Sequence, residues 1–114
     1  MIPKEYRFHG LGSLRFVFNK GQSVRSQHCS LKYHLNNRRQ KYRLAVVVSR
    51  KVHKSAVVRN KIRRRIYEYI RTHEKISQPY DLVITVYSDQ LADLSPNKLA
   101  KLLHDLLQSA AVLS

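Results

Sequence analysis

Acids are scarce in this chain: 7 Asp and Glu stand against 22 Lys and Arg. The seven are Glu5, Glu68, Glu74, Asp81, Asp89, Asp93 and Asp105, and only Asp89 and Asp93 lie near each other. Acid–base or metal-assisted hydrolysis needs carboxylates held together in contrasting environments, so this spacing argues against a protein that cleaves phosphodiesters by itself. Cysteine is scarcer still. Cys29 has no second thiol to pair with, and the six histidines include no i,i+4 pair, which excludes an internal disulfide and leaves no zinc-ligand pattern. A Cys29 nucleophile served by His28 or His34 is conceivable, but a strand-face cysteine is more often inert packing. No apolar run approaches the roughly 20 residues that span a bilayer, and the start Met1-Ile-Pro-Lys-Glu lacks a signal peptide's apolar stretch. Gly10-Leu-Gly12 is too little for a phosphate loop. The expectation is a cytoplasmic protein with no membrane partner, no intrinsic metal and no catalytic side chain.

What is present is positive charge. The formal net charge is +15, and it is uneven: residues 1–75 carry 20 basic and 3 acidic groups, whereas residues 76–114 carry 2 and 4. Such a field repels itself in the free protein and calls for a polyanionic partner. With 114 residues and 43% apolar content the chain suits one domain, 1–114, that buries roughly 65% of its unfolded surface. Residues 1–12 read as a basic and aromatic arm.

The charge concentrates in Ser49 to Arg71, which holds nine Lys or Arg and one acid, Glu68. Ser55 is a good N-cap, and Val58, Ile62, Ile66, Tyr69 and Ile70 follow at helical spacing. Asn60, Arg64, Tyr67 and Arg71 then fall on the opposite face, with Arg63 between the two. A solvated helix face normally mixes signs because like charges at i,i+3 and i,i+4 repel, so this face reads as a phosphate-binding surface.

Along the rest of the chain, Ser13 caps an expected helix over 14–20 that ends at Gly21, with Leu14, Val17 and Phe18 on one side and Phe16 beside Arg15. Two roles fit Phe16 and Phe18, packing on a sheet or stacking on unpaired bases. From Val24 to Leu35 apolar and polar residues alternate, with a break expected near Ser26. Asn36 to Lys41 then reads as a solvated hairpin loop returning the chain antiparallel. Tyr42 to Ser49 and Asp81 to Tyr87 are β-branched runs of buried-strand type, the first expected at an inner position, and the helix between them implies a parallel βαβ unit. Ser95-Pro96 starts a last helix whose leucines at 99, 102, 103, 106 and 107 form one docking face. The reading is α+β, one α-β-β-β-α-β-α sandwich with a mixed four-stranded sheet.

Ala56-Val57-Val58-Arg59-Asn60-Lys61-Ile62-Arg63-Arg64 resembles the signature helix of the bacterial ribonuclease P protein family, with Lys61 and Arg63 as like-charge replacements. Weaker similarity runs from about Arg7 to Leu107. The resemblance implies a left-handed βαβ crossover, a rare exception to the usual handedness. It implies a protein subunit that binds a catalytic RNA and the 5′ leader of precursor tRNA, while the RNA and its Mg²⁺ ions carry out hydrolysis; no protein partner is implied. Lys51, Lys54, Arg59, Asn60, Lys61, Arg63, Arg64 and Arg71 are the candidate RNA-binding residues. Phe8, Phe18, Lys32 and Tyr33 are the candidates for a leader cleft between sheet and first helix. Leu14 stands where the family commonly has another Phe, and Tyr67 where it usually has another Arg, a charge that Arg65 or Arg71 can partly supply. The rival reading is a general RNA-binding structural protein, such as a ribosomal one.

Overall fold

The computed structural model describes Tyr6, Phe8 and residues 11–113, without the side chains of 11–13. Arg7, His9 and Gly10 of the expected arm lie outside the described residues. In chain order the elements are α1 (Leu11–Lys20), β1 (Gln22–Arg25), β2 (Cys29–Leu35), β3 (Arg43–Val47), α2 (Ala56–His73), β4 (Tyr80–Val86), a short 3₁₀ turn (Asp89–Ala92) and α3 (Pro96–Ser109). This is the expected order, including the break near Ser26, where the Ser26 N–H donates to the Cys29 carbonyl. Helix α1 starts earlier than expected, at Leu11, so Ser13 lies inside it.

The strands form one mixed sheet in the order β1-β2-β4-β3. β2 runs antiparallel to both β1 and β4, while β3 pairs parallel with β4 across the α2 crossover. Two expectations are corrected here. The loop after β2 does not close a hairpin, because β4 inserts between β2 and β3; and β3 is an edge strand, not an inner one. The physical reason lies in the two strand sequences and in α2. β4 offers Leu82, Val83, Ile84 and Val86, all buried, which suits the position paired on both sides. β3 tolerates the edge because α2 runs beside it: the Val46 N–H donates to Tyr67 Oη at 3.1 Å, and Arg63 Nη2 donates to the Val48 carbonyl at 3.1 Å. Outward backbone groups that would otherwise invite a foreign strand are thereby covered.

One face of the sheet carries the main core, where Leu31, Leu44, Leu82 and Ile84 meet Ile62, Ile66 and Ile70 of α2 and Leu99, Leu103 and Leu107 of α3. Both helices start as expected, with Ser55 Oγ accepting from the Val58 N–H and Ser95 Oγ accepting from the Lys98 N–H ahead of Pro96. Alternate residues of β2 and β4 point to the other face, on which α1 packs through the fully buried Val17, opposite Val83. α1 can approach this closely because Gly21 ends it. A Cβ there would lie 2.5 Å from the Val17 carbonyl oxygen and 3.0 Å from that of Tyr33.

Candidate nucleic-acid interface

Helix α2 is about 27 Å long at 1.5 Å per residue, and its buried stripe of Ile62, Ile66 and Ile70 fixes which way its cations face. Lys51, Lys54, Asn60, Lys61, Arg64 and Arg71 are exposed, whereas Arg59, Arg63 and Arg65 are half-buried. The half-buried ones shape the surface. Arg59 Nη1 donates to the carbonyls of His53 and Lys54, both at 2.9 Å, which ties the turn before the helix to its first coil. Arg63 Nη1 donates to Asn60 Oδ1 at 2.6 Å while its Nη2 holds Val48, so Asn60 sets the plane of that guanidinium. The remaining N–H groups of these forks are pre-aimed, which lowers the entropy lost on meeting a phosphate. Lys51, Lys54 and Arg64 make no ion pair or side-chain hydrogen bond with the described residues.

Two residues of this helix behave differently from the sequence expectation. Tyr67 is not on the open cationic face; it is half-buried and bonded to β3. Its spacing at i+4 from Arg63 points it along the same flank, toward the β3 edge, and not outward with Arg64. Arg65 donates through Nη1 and Nη2 to the carbonyls of Leu91 and Leu94, fastening the 3₁₀ turn to α2. Its fork is occupied by the fold, so of the two residues considered as substitutes for the missing family Arg, Arg71 is the exposed one. Glu68 pairs with Arg71 at 3.0 Å, and that bond together with the Arg71 charge lowers the Glu68 pKa.

The second candidate region is the α1 side of the sheet. Lys32 Nζ donates to the Phe18 carbonyl at 2.8 Å and lies 5.2 Å from the centre of the Phe18 ring, so the two form one unit that also satisfies an end carbonyl of α1. Phe16, 48% exposed, rests edge-on against His34, one step further along β2. Phe8 covers the Arg43 guanidinium at 4.4 Å. Tyr33 is on the opposite face: it packs against the main core, sits edge-on to Tyr80, and lines a cleft of about 530 Å³ with Lys20, Leu35 and Ala110. The alternation of β2 separates Tyr33 from Phe18 and Lys32.

Sequence reasoning missed the ion pair beneath Phe8. Arg43 and Asp81 are register partners on β3 and β4, both buried, and Arg43 donates from Nε and Nη2 to the two carboxylate oxygens at 2.8 Å each. Asn36 Nδ2 donates to the same carboxylate at 3.1 Å. A charged residue within the first two positions of each strand was the available signal. Asp93 faces Lys61 at 3.9 Å, Glu74 meets His104 at 3.0 Å, and Asp105 meets Lys101 at 3.1 Å. No group of three metal-binding side chains exists among the described residues. Cys29 is buried against Ser26, and desolvation pushes its thiol pKa up, opposite to what a nucleophile requires. No described helix is long and apolar enough to cross a membrane.

A small α+β sandwich with a cation-lined helix and an aromatic sheet face defines a nucleic-acid-binding domain. A family model described as Ribonuclease P matches residues 2–111, and the chain belongs to the ribonuclease P protein family, the protein subunits of that tRNA-processing enzyme. It is similar to the ribonuclease P protein component of Blochmanniella floridana, with 30% identity over 98 residues that cover 86% of this chain and 81% of the relative. It is 36% identical over 72 residues to that of Synechococcus elongatus, covering 62% of this chain and 59% of the relative. The structure of the Staphylococcus aureus RNase P protein superposes with a TM-score of 0.84 at 26% identity, covering 96% of this chain and 98% of that one. The Thermotoga maritima RNase P protein shares the fold, with a TM-score of 0.80 at 23% identity and coverage of 90% and 96%. These matches favour a ribonuclease P subunit over a general structural RNA-binding protein.

Proposed function

We propose that this protein binds the catalytic RNA of ribonuclease P through the outer face of α2, and the 5′ leader of precursor tRNA along the α1 side of the sheet. The observation that carries the reading is the set Arg59, Asn60, Lys61, Arg63 and Arg64, which resembles the family signature and whose half-buried guanidiniums are braced by internal bonds. Lys51, Lys54 and Arg71 extend that surface at its two ends. Guanidinium forks suit phosphate oxygens, and the Phe18–Lys32 and Phe16–His34 units offer ring faces and edges to unpaired bases.

Hydrolysis on this reading belongs to the RNA and its Mg²⁺ ions. The protein contributes charge neutralisation and substrate positioning, which hold the reacting groups in place without supplying any of them. A single buried thiol suits the reducing cytoplasm in which such an enzyme works. The test is cleavage of precursor tRNA by protein alone, RNA alone and both, across a Mg²⁺ series. The expected result is no cleavage by protein alone, strong cleavage by both at low Mg²⁺, and partial rescue of RNA alone at high Mg²⁺. Specific 5′ cleavage by RNA-free protein would overturn the assignment of catalysis.

A further inference from the structure

We infer that the loop joining β2 to β3 is a second backbone-binding element, in which Arg38 and Lys41 take phosphates of the single-stranded leader as it runs off the α1 side of the sheet. The inference rests on the leader-binding reading above and adds a contact region to it.

The loop Asn36-Asn-Arg-Arg-Gln-Lys41 holds three cations and no acid. It is not a slack surface loop, because Asn36 organises it from four directions. The Asn36 N–H donates to the Pro79 carbonyl at 3.0 Å, and its own carbonyl accepts from the Arg39 N–H at 3.1 Å. Asn36 Oδ1 accepts from the Arg38 N–H at 3.2 Å, the side-chain turn typical of asparagine, while Nδ2 reaches the buried Asp81 carboxylate. Arg38, Arg39, Gln40 and Lys41 line an open cleft of about 380 Å³, with Lys41 Nζ 5.5 Å from the centre of the Tyr6 ring. Asp81 is engaged by both arms of Arg43.

Position supplies the rest. Lys32, His34 and Asn36 are alternate residues on one face of a strand and its continuation, spaced by about 7 Å. Lys32 carries Phe18 and His34 carries Phe16, so a chain of bases laid along β2 passes two aromatic units and arrives at the basic loop. Phe8, over Arg43, flanks the same exit. An extended polyanion with unpaired bases is the ligand that uses rings and cations in this succession.

The test uses the enzyme reassembled from protein and catalytic RNA, and measures affinity for precursor tRNA and for the matching mature tRNA at several salt concentrations. Arg38→Ala with Lys41→Ala should weaken precursor binding several-fold and reduce the slope of log K against log salt by about 1.4, the value for two single-strand phosphates at about 0.7 each. Mature tRNA should be unaffected. Arg38→Lys with Lys41→Arg, which keeps both charges, should retain the wild-type slope. An unchanged slope in the alanine variant, or an equal loss for both tRNAs, overturns the inference, the latter by moving the loop's partner to the tRNA body or the catalytic RNA. Phe18→Ala runs alongside: if it weakens precursor binding alone while the loop variant does nothing, only the loop contact falls, and if neither variant distinguishes the two tRNAs the leader-binding reading falls with it.

Discussion

Two sets of cations in this protein do opposite work. Arg43 and Arg65 turn inward, one against a buried carboxylate and one against two backbone carbonyls, whereas Lys51, Lys54, Lys61, Arg64 and Arg71 lie on the surface. Arg59 and Arg63 stand between, each with part of its fork in the fold and part outside it. The difference teaches that a count of basic residues overstates the binding surface, and that a helix can use some arginines to fix the angle at which the others are displayed. It also sets up a division testable by mutation, since inward cations should govern stability and outward ones should govern salt-dependent RNA affinity.

The largest effect belongs to the buried pair. Asp81→Ala leaves Arg43 charged in a dry site beside the Phe8 ring, and the loss of stability should be about 3–5 kcal/mol in a urea or thermal melt. Replacing both partners, Asp81→Ala with Arg43→Met, should recover much of that loss, because an apolar pair leaves no stranded charge. A smaller loss of about 1–3 kcal/mol is expected for Arg65→Ala, which leaves the carbonyls of Leu91 and Leu94 without their donor. Its salt slope for RNA binding should equal that of the wild type. A slope that falls with Arg65→Ala would move this residue into the outward set.

Tyr67→Phe should cost about 1 kcal/mol, since it removes the acceptor for the Val46 N–H at a strand edge that water can partly reach. The variant Tyr67→Arg sharpens the contrast between the two sets. It should cost more stability than Tyr67→Phe, because the half-buried ring packing is lost with the bond, and a gain in RNA affinity would show that a guanidinium on this flank reaches the cationic face.

Most of the element order was legible because it depends on local patterns. Ser55 and Ser95 announced the two capped helices, the isoleucine and leucine stripes fixed their buried faces, and Gly21 marked the end of α1. The lateral order of the strands was not legible in the same way. A run such as Leu44-Ala-Val-Val-Val48 looks the same whether it is enclosed by strands or by one strand and a helix, and only the three-dimensional path of α2 decides which. The basic helix could be read from its one-sided charge, but which arginines stay open could not, because the carbonyls that capture Arg65 lie 26 and 29 residues away in sequence. Tyr33 was misplaced in the cleft for a simpler reason. Its neighbour Lys32 carries the contact with Phe18, and in a strand adjacent residues cannot share a face.

The smallest stability effect, and the one that isolates binding, is expected at Arg64. Its side chain is exposed and makes no bond to the described residues, and alanine is the best helix former, so Arg64→Ala should change stability by no more than about 0.5 kcal/mol. If the residue meets one phosphate of the catalytic RNA, the slope of log K against log salt should fall by about 0.9 for a duplex region, with the affinity loss growing as salt is lowered. Arg64→Lys should keep that slope, because counterion release depends on charge; any affinity it loses at constant slope would measure the fork geometry of the guanidinium instead. Lys61→Ala offers the matched comparison one turn earlier, where Asp93 at 3.9 Å already screens part of the charge, so its slope change should be the smaller of the two. Equal slopes for wild type, Arg64→Ala and Lys61→Ala would remove the outer face of α2 from the interface and leave the sheet face as the place where RNA is held.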